Sequence, residues 1–158
     1  MSNRLVVVAH GTPAPQGSKR HVGRGVLVES SPYVKPWRNV VQAAAETELA
    51  RLRLDEPPGW TPGRLAAVWL DVTFTLGRPA SHYRTGKHAD ELKSTAPDAP
   101  AGRPDIDKLI RSTLDALTDA GALVDDARVT TVTAVKCYPG GALDALDGPG
   151  AVLTIWHR

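Results

Sequence analysis

The chain has one cysteine, Cys137, in 158 residues. An internal disulfide is therefore excluded, and no Cys/His cluster with zinc-ligand spacing appears. A reduced, cytoplasmic setting is the natural expectation. Long apolar runs are also missing. Leu5–Ala9 is the only one near the N-terminus, and five residues are too few for a secretory signal or a membrane span. A soluble protein with no membrane partner is expected. Net charge is only +2, so the surface is not uniformly polycationic. The remaining composition, 42% hydrophobic and 23% charged, is ordinary for a globular protein. A chain of this length fits a single domain, 1–158, that buries roughly 70% of the surface its unfolded form exposes.

The small net charge hides an uneven distribution. Arg4, Lys19, Arg20, Arg24, Lys35 and Arg38 face a single acid, Glu29, in the first forty residues. A second basic stretch, with Arg78, Arg84, Lys87 and Lys93 beside His82 and His88, holds only Asp90 and Glu91 in opposition. Acids gather instead between 105 and 126. Basic stretches of this kind attract a polyanion, although a solvated mixed surface reads the same way.

Hydrophobic periodicity sets out the elements. Leu5–Ala9 reads as a buried strand stopped by Gly11 and Pro13. A Gly/Pro-rich basic loop follows, with a short return strand at Val26–Val28. Ser30, Ser31 and Pro32 signal a helix start. Trp37, Val41, Ala44, Ala45, Leu49 and Leu52 then fall on one helical face, before Pro57 and Pro58 end it. From Leu65 to Leu76, Val68, Leu70, Val72, Phe74 and Leu76 alternate as in a half-buried strand. Trp69 is expected in the core. Residues 77–102 form a long loop, a length that in a compact domain often signals function. Ile106, Ile110, Leu114 and Leu117 mark the stripe of a second helix closed by Gly121. Strands at Arg128–Tyr138 and Ala151–Trp156 complete a β-β-α-β-α-β-β order. The expected fold is α+β: a mixed sheet of about four to five strands with two main helices packed on one face.

The chemistry concentrates in RPDIDKLIRSTLDALTDAGALVDD, residues 103–126. Asp105 and Asp107 stand at the mouth of the second helix, and Asp125 and Asp126 just past its end. Bunched carboxylates repel unless a positive group sits among them. A hard divalent cation is the usual one, and Mg²⁺ takes one or two carboxylates, waters and substrate phosphate. Each acid also has a purely structural explanation. Asp107 can be an N-cap, Asp105 an acid favoured by the helix dipole, and Asp125–Asp126 a turn signal. A helix of about 13 residues spans about 20 Å, so the chain must return along it before Asp126 can meet Asp105.

These residues also resemble a family. Pro104, Asp105, Asp107 and Leu109, then Asp115-Ala116-Leu117-Thr118 with Ala120 and Gly121, then Asp125-Asp126-Ala127, Val129 and Lys136, are similar to the RusA-type Holliday junction resolvases. These are endodeoxyribonucleases carried by many phages and prophages. The Gly11-x-Pro13 start, Trp37-Arg38 and the Arg78–Tyr83 loop extend the likeness over most of the chain. The resemblance implies a homodimer that binds four-way DNA junctions and makes paired symmetric nicks with Mg²⁺ or Mn²⁺. By position it assigns the essential carboxylates to Asp105, Asp107 and Asp126, with Asp125 a supporting neighbour. Two departures stand out. Lys108 occupies the place of a common asparagine, and Arg111 that of the family's functional lysine. Arginine grips a phosphate but does not readily donate a proton. Arg111 or Lys108 is thus expected to neutralise the scissile phosphate, and Lys19, Arg20, Arg84, Lys87 and Lys136 to contact DNA. The competing expectations are a junction-binding protein without catalysis, and a related nuclease acting on other branched DNA.

Overall fold

The computed structural model describes residues 4–17, 19–21, 23–25, 27–29, 31–54, 60 and 66–157, with only the backbone of 19–21 and 27–29. In chain order the elements are β1 (Arg4–His10), β2 (Lys19–His21), β3 (Leu27–Glu29), α1 (Val34–Arg53), β4 (Val68–Thr75), α2 (Ile106–Asp119), β5 (Val129–Cys137) and β6 (Gly150–His157). Short 3₁₀ turns occupy Ala80–His82, Gly86–His88 and Asp126–Arg128. The α+β expectation holds: a four-stranded mixed sheet in the order β1-β6-β4-β5 packs against both helices. A separate two-stranded antiparallel pair, β2-β3, adds one short strand to the expected order. The start proposed at Val26 and the strand start proposed at Leu65 fall outside the described residues.

Register explains the core. Leu5, Val7 and Ala9 stand opposite Ile155, Leu153 and Ala151. Those three in turn oppose Leu70, Val72 and Phe74. Residues opposite one another share a face, so this face is a continuous apolar floor. Val34, Trp37, Val41, Ala45, Leu49 and Leu52 of α1 are buried, and most of them join this floor in one core cluster. The second helix departs from its expected stripe. Its buried face is Leu109, Ser112, Thr113, Ala116 and Leu117, while Ile110 and Leu114 lie only partly buried against the core. Ser112 and Thr113 can turn inward because each has a partner. The Ser112 hydroxyl donates to the Ala14 carbonyl at 2.8 Å, and the Trp37 indole Nε1–H donates to Thr113 Oγ1 at 3.3 Å.

Trp69 is not in the core. It alternates with Val68 and Leu70, so it points to the sheet's other face and is 39% exposed. Val8 and Val135 share that face by register and are similarly exposed.

Strand direction decides what meets what. β4 and β5 are parallel, and β6 runs antiparallel to both β1 and β4. The carboxyl ends of β1, β4 and β5 therefore lie at one end of the sheet. A helix linking two parallel strands runs back antiparallel to them, so α2 starts at that end and finishes at the other.

Trp37 joins α1 to both α2 and β4, with its ring 6.5 Å from that of Phe74. Trp37→Ala should lower the unfolding free energy by about 3–5 kcal/mol, read from urea denaturation. A loss under about 1 kcal/mol would show that this junction does not organise the core.

Candidate active site

The carboxyl ends of β1, β4 and β5 form a rim. After β1, the Gly11–Gln16 segment crosses to α2, where the Gln16 backbone N–H donates to the Lys108 carbonyl at 3.0 Å. The β2 strand, Lys19–His21, pairs with β3 further along the same connection. After β4 comes the 77–102 loop, and after β5 comes Tyr138. Open α/β sheets bind ligands outside the carboxyl ends of their strands, and nearly all the residues expected to do chemistry stand here.

Asp105 is the N-cap residue of α2, with extended backbone at φ −69°, ψ 134°. Its carboxylate does not cap the helix. It faces Lys108 instead, Oδ2 to Nζ 3.1 Å. Asp107 lies in the first turn, which corrects the N-cap reading of that residue. Both acids are exposed, and among the described residues Asp107 has no ion-pair partner. Arg111 follows Asp107 by four positions, hence on the same helical face, and is exposed.

Lys136 has a more specific position than a DNA contact. It lies on the helix-facing side of β5, opposite Phe74. Its ammonium donates to the Gly102 carbonyl at 2.6 Å and the Pro104 carbonyl at 2.8 Å. The edge strand thereby holds the last turn before Asp105. The 77–102 loop is similarly pinned. Arg78 donates to the Pro97 carbonyl and stacks over the Tyr138 ring at 4.2 Å. The Lys93 ammonium donates to the Ser81 carbonyl. Arg84, expected to contact DNA, is engaged with Glu91. Lys87 is exposed and, among the described residues, unpaired. His82 packs edge-on against Tyr138 at 5.6 Å. Cys137, buried at the end of β5, has its thiol pKa raised by desolvation, against a smaller opposite effect from Thr75. It is not poised as a nucleophile.

Asp126 stands apart. It lines a hollow with Asp115, Thr118, Asp119 and Arg38, along the second half of α2. The fourteen residues of α2 span about 20 Å, and that length separates this hollow from Asp105. Among the described residues no group of three or more His, Cys, Asp or Glu side chains is placed to hold a metal ion. The expected convergence of three aspartates is thus not made within one chain. Asp125 accepts the Ala127 N–H at 2.8 Å and caps the Asp126–Arg128 turn, a structural role.

The family model for Endodeoxyribonuclease RusA matches residues 10–143. The chain belongs to the RusA endodeoxyribonuclease family. No curated protein matches it. The match runs from the last residue of β1 through the acid-bearing helix and β5, so it takes in all three segments of the rim of this RusA-family chain.

Two features were not foreseen. Arg38, noted in sequence for its charge and as part of the family likeness, bridges the helices through Asp115 at 3.6 Å and Asp119 at 2.5 Å. Gln16 ties the first loop to α2. Neither carries a sequence signal, since both depend on two segments far apart along the chain. Lys136→Met keeps the aliphatic stem and removes the donor. Amide hydrogen exchange at 102–106 should rise, and unfolding free energy should fall by about 1–3 kcal/mol. Unchanged exchange there would remove Lys136 as the anchor.

Proposed function

We propose that this chain is a Mg²⁺-dependent, structure-specific endodeoxyribonuclease. It resolves Holliday junctions by paired symmetric nicks during DNA recombination and repair. Mn²⁺ is the alternative ion, and the working form is a homodimer in the cytoplasm of the cell, or of the bacterial host if the gene is phage-borne. The family match supports the nuclease activity. The observation that carries the reading is the position of exposed Asp105 and Asp107 at the start of α2, with Lys108 and Arg111 following them in the first turns of the helix. Among the described residues no helix is long and apolar enough to cross a membrane.

The donor set fits a substrate-completed ion. Asp105 and Asp107 offer hard oxygens, and Mg²⁺ accepts one or two carboxylates plus water and phosphate. When bound, the ion would acidify a water and stabilise charge developing on the scissile phosphate. The N-terminal end of α2 carries the positive pole of the helix dipole. That pole favours the phosphate and disfavours a bare cation, so metal and DNA bind together more tightly than either alone. Lys108, paired with Asp105 here, would be free to neutralise the phosphate once a cation took its place at that carboxylate. Arg111 neutralises the same group as a fixed cation and is not the proton donor. Lys19, Arg20 and Lys87 hold flanking phosphates, and Arg84 does so on release from Glu91. Lys136 acts by positioning Asp105 more than by touching DNA.

Asp126 enters this scheme from the second copy. A helix length separates it from Asp105 in the same chain, so its contribution to the ion is that of Asp126 of the partner subunit. The partly exposed Val8, Trp69 and Val135 on the uncovered sheet face are consistent with a pairing surface. The separation of the acids also favours a second reading, a junction binder without catalysis. That reading expects binding and no nicking at any metal concentration.

Asp107→Asn should abolish nicking of a synthetic four-way junction in Mg²⁺ and leave junction affinity within about twofold, by gel shift in Ca²⁺. Full activity in this variant would remove the site. Mixing distinguishes the origin of Asp126. Asp105→Asn and Asp126→Asn should each be inactive alone, and co-refolded equimolar mixtures should recover nicking, because mixed dimers then carry one intact site. No recovery would place all the chemistry within a single chain.

A further inference from the structure

The two outer strands of the sheet are finished differently. β1 is flanked by α1: Gly11 lies against Val40, and Ala43 and Ala44 line a hollow with Val6 and Val8. β5 forms the other edge, and its sole strand neighbour among the described residues is β4. Unpaired backbone groups on an edge recruit another strand, so soluble proteins commonly blunt their edges with charges, proline or bulges. The nine residues of β5, VTTVTAVKC, include no proline and a single charge. That charge, Lys136, is turned to Gly102 and Pro104. The register with β4 shifts once, between Val68 and Trp69, and runs straight from Thr131 to Cys137.

One bond fixes the direction of the free groups. The Leu76 backbone N–H donates to the Cys137 carbonyl at 2.8 Å, so Cys137 turns its backbone toward β4. Successive strand residues turn to opposite sides. Val132, Ala134 and Lys136 therefore present their N–H and C=O groups outward. The side chains agree. Val132, opposite Leu70 on the helix side, is 38% exposed, and Val135, opposite Thr73 on the other face, is 41% exposed. An apolar side chain left open on each face beside a bare edge is what a neighbouring strand covers.

We propose that two copies of this chain join antiparallel through β5, with Thr133 opposite the partner's Thr133. That register overlaps the whole strand. It sets Val132 against the partner's Ala134, so outward groups meet outward groups. A twofold axis perpendicular to the sheet keeps both helix layers on one side and merges two four-stranded sheets into one. It also carries the start of the partner's β5 to the end of this one. Asp126 stands just ahead of Val129. Asp126 of the partner subunit therefore arrives beyond Cys137, at the rim where Lys136 holds the chain ahead of Asp105. Parallel pairing would set like ends together and leave Asp126 a helix length from either Asp105. The proposal rests on the reading above that takes Asp126 from a second copy, and it names the surface that brings it.

Sedimentation equilibrium and crosslinking test the contact. The wild type should be a dimer at micromolar concentration. Val132→Pro removes an outward N–H, a change that edge strands tolerate. It should sediment as a monomer with a folded circular dichroism spectrum. Val132→Lys keeps the N–H, adds an edge charge and should weaken dimerisation at least tenfold. Thr133→Cys should form a disulfide dimer with copper phenanthroline, since opposed residues that share no hydrogen bonds stand about 4.5 Å apart at Cα. Val135→Cys should not, because it faces the partner's Thr131. A monomeric wild type, or unchanged dimerisation in both Val132 variants, would overturn the proposal. So would crosslinking of Val135→Cys at the rate of Thr133→Cys, which marks parallel pairing, or of Val8→Cys at that rate, which moves the contact to the open sheet face. The crosslinked Thr133→Cys dimer should nick a four-way junction as the wild type does. Loss of nicking there, with the wild type active, would overturn the placement of Asp126. A wild type that dimerises through β5 and nicks no DNA removes the nuclease reading and leaves the interface standing.

Discussion

The ammonium of Lys136 is the contact on which the site depends. It takes two carbonyls from the chain immediately ahead of α2 and fixes them to an edge strand of the sheet. Backbone carbonyls outside regular structure need donors, and where they stand fixes where the next residues point. Here the next residues are Asp105 and Asp107. A charged donor from β5 thus aims two carboxylates that belong to another element. Its position opposite Phe74 links that aim to the centre of the core, because β5 is held in register with β4.

The electrostatics around α2 are deliberately mixed. A helix N-terminus welcomes anions, so two aspartates there stabilise the fold and need no metal to account for them. The same pole resists a lone cation. Lys108 and Arg111 strengthen that resistance on the adjoining faces. On the proposed reading, such an arrangement would bind an ion weakly by itself and more strongly together with a phosphate, since each would offset the charge that repels the other.

Much of the architecture was legible along the chain. Alternation in 68–76 and the spacing of Trp37, Val41, Ala45, Leu49 and Leu52 each identified a buried face, because burial at a fixed period leaves a mark in one element at a time. The buried face of the second helix lies about a quarter turn from the expected stripe, with Leu117 common to both. Ser112 and Thr113 look polar in sequence, yet both turn inward once Ala14 and Trp37 supply partners, and no periodicity rule sees those partners. Trp69 was misplaced by weighing residue type above alternation. The acidic pair at 105 and 107 was visible from its spacing and from family likeness. The distance to Asp126 was not, since it follows from β4 and β5 running parallel, and strand direction is a property of pairing. For the same reason Lys136 looked like a surface cation.

The parallel arrangement of β1, β4 and β5 has a separate implication for descent. Most of the candidate site residues stand on or beside the connections at one rim, whereas the apolar floor and the helix–helix ties lie away from it. Insertions or exchanges in those connections leave the packed layer untouched. Lineages carrying this scaffold can therefore drift in which branched molecule they prefer while retaining the same hydrophobic interior, and their divergence should be greatest between residues 11 and 31 and between 77 and 102.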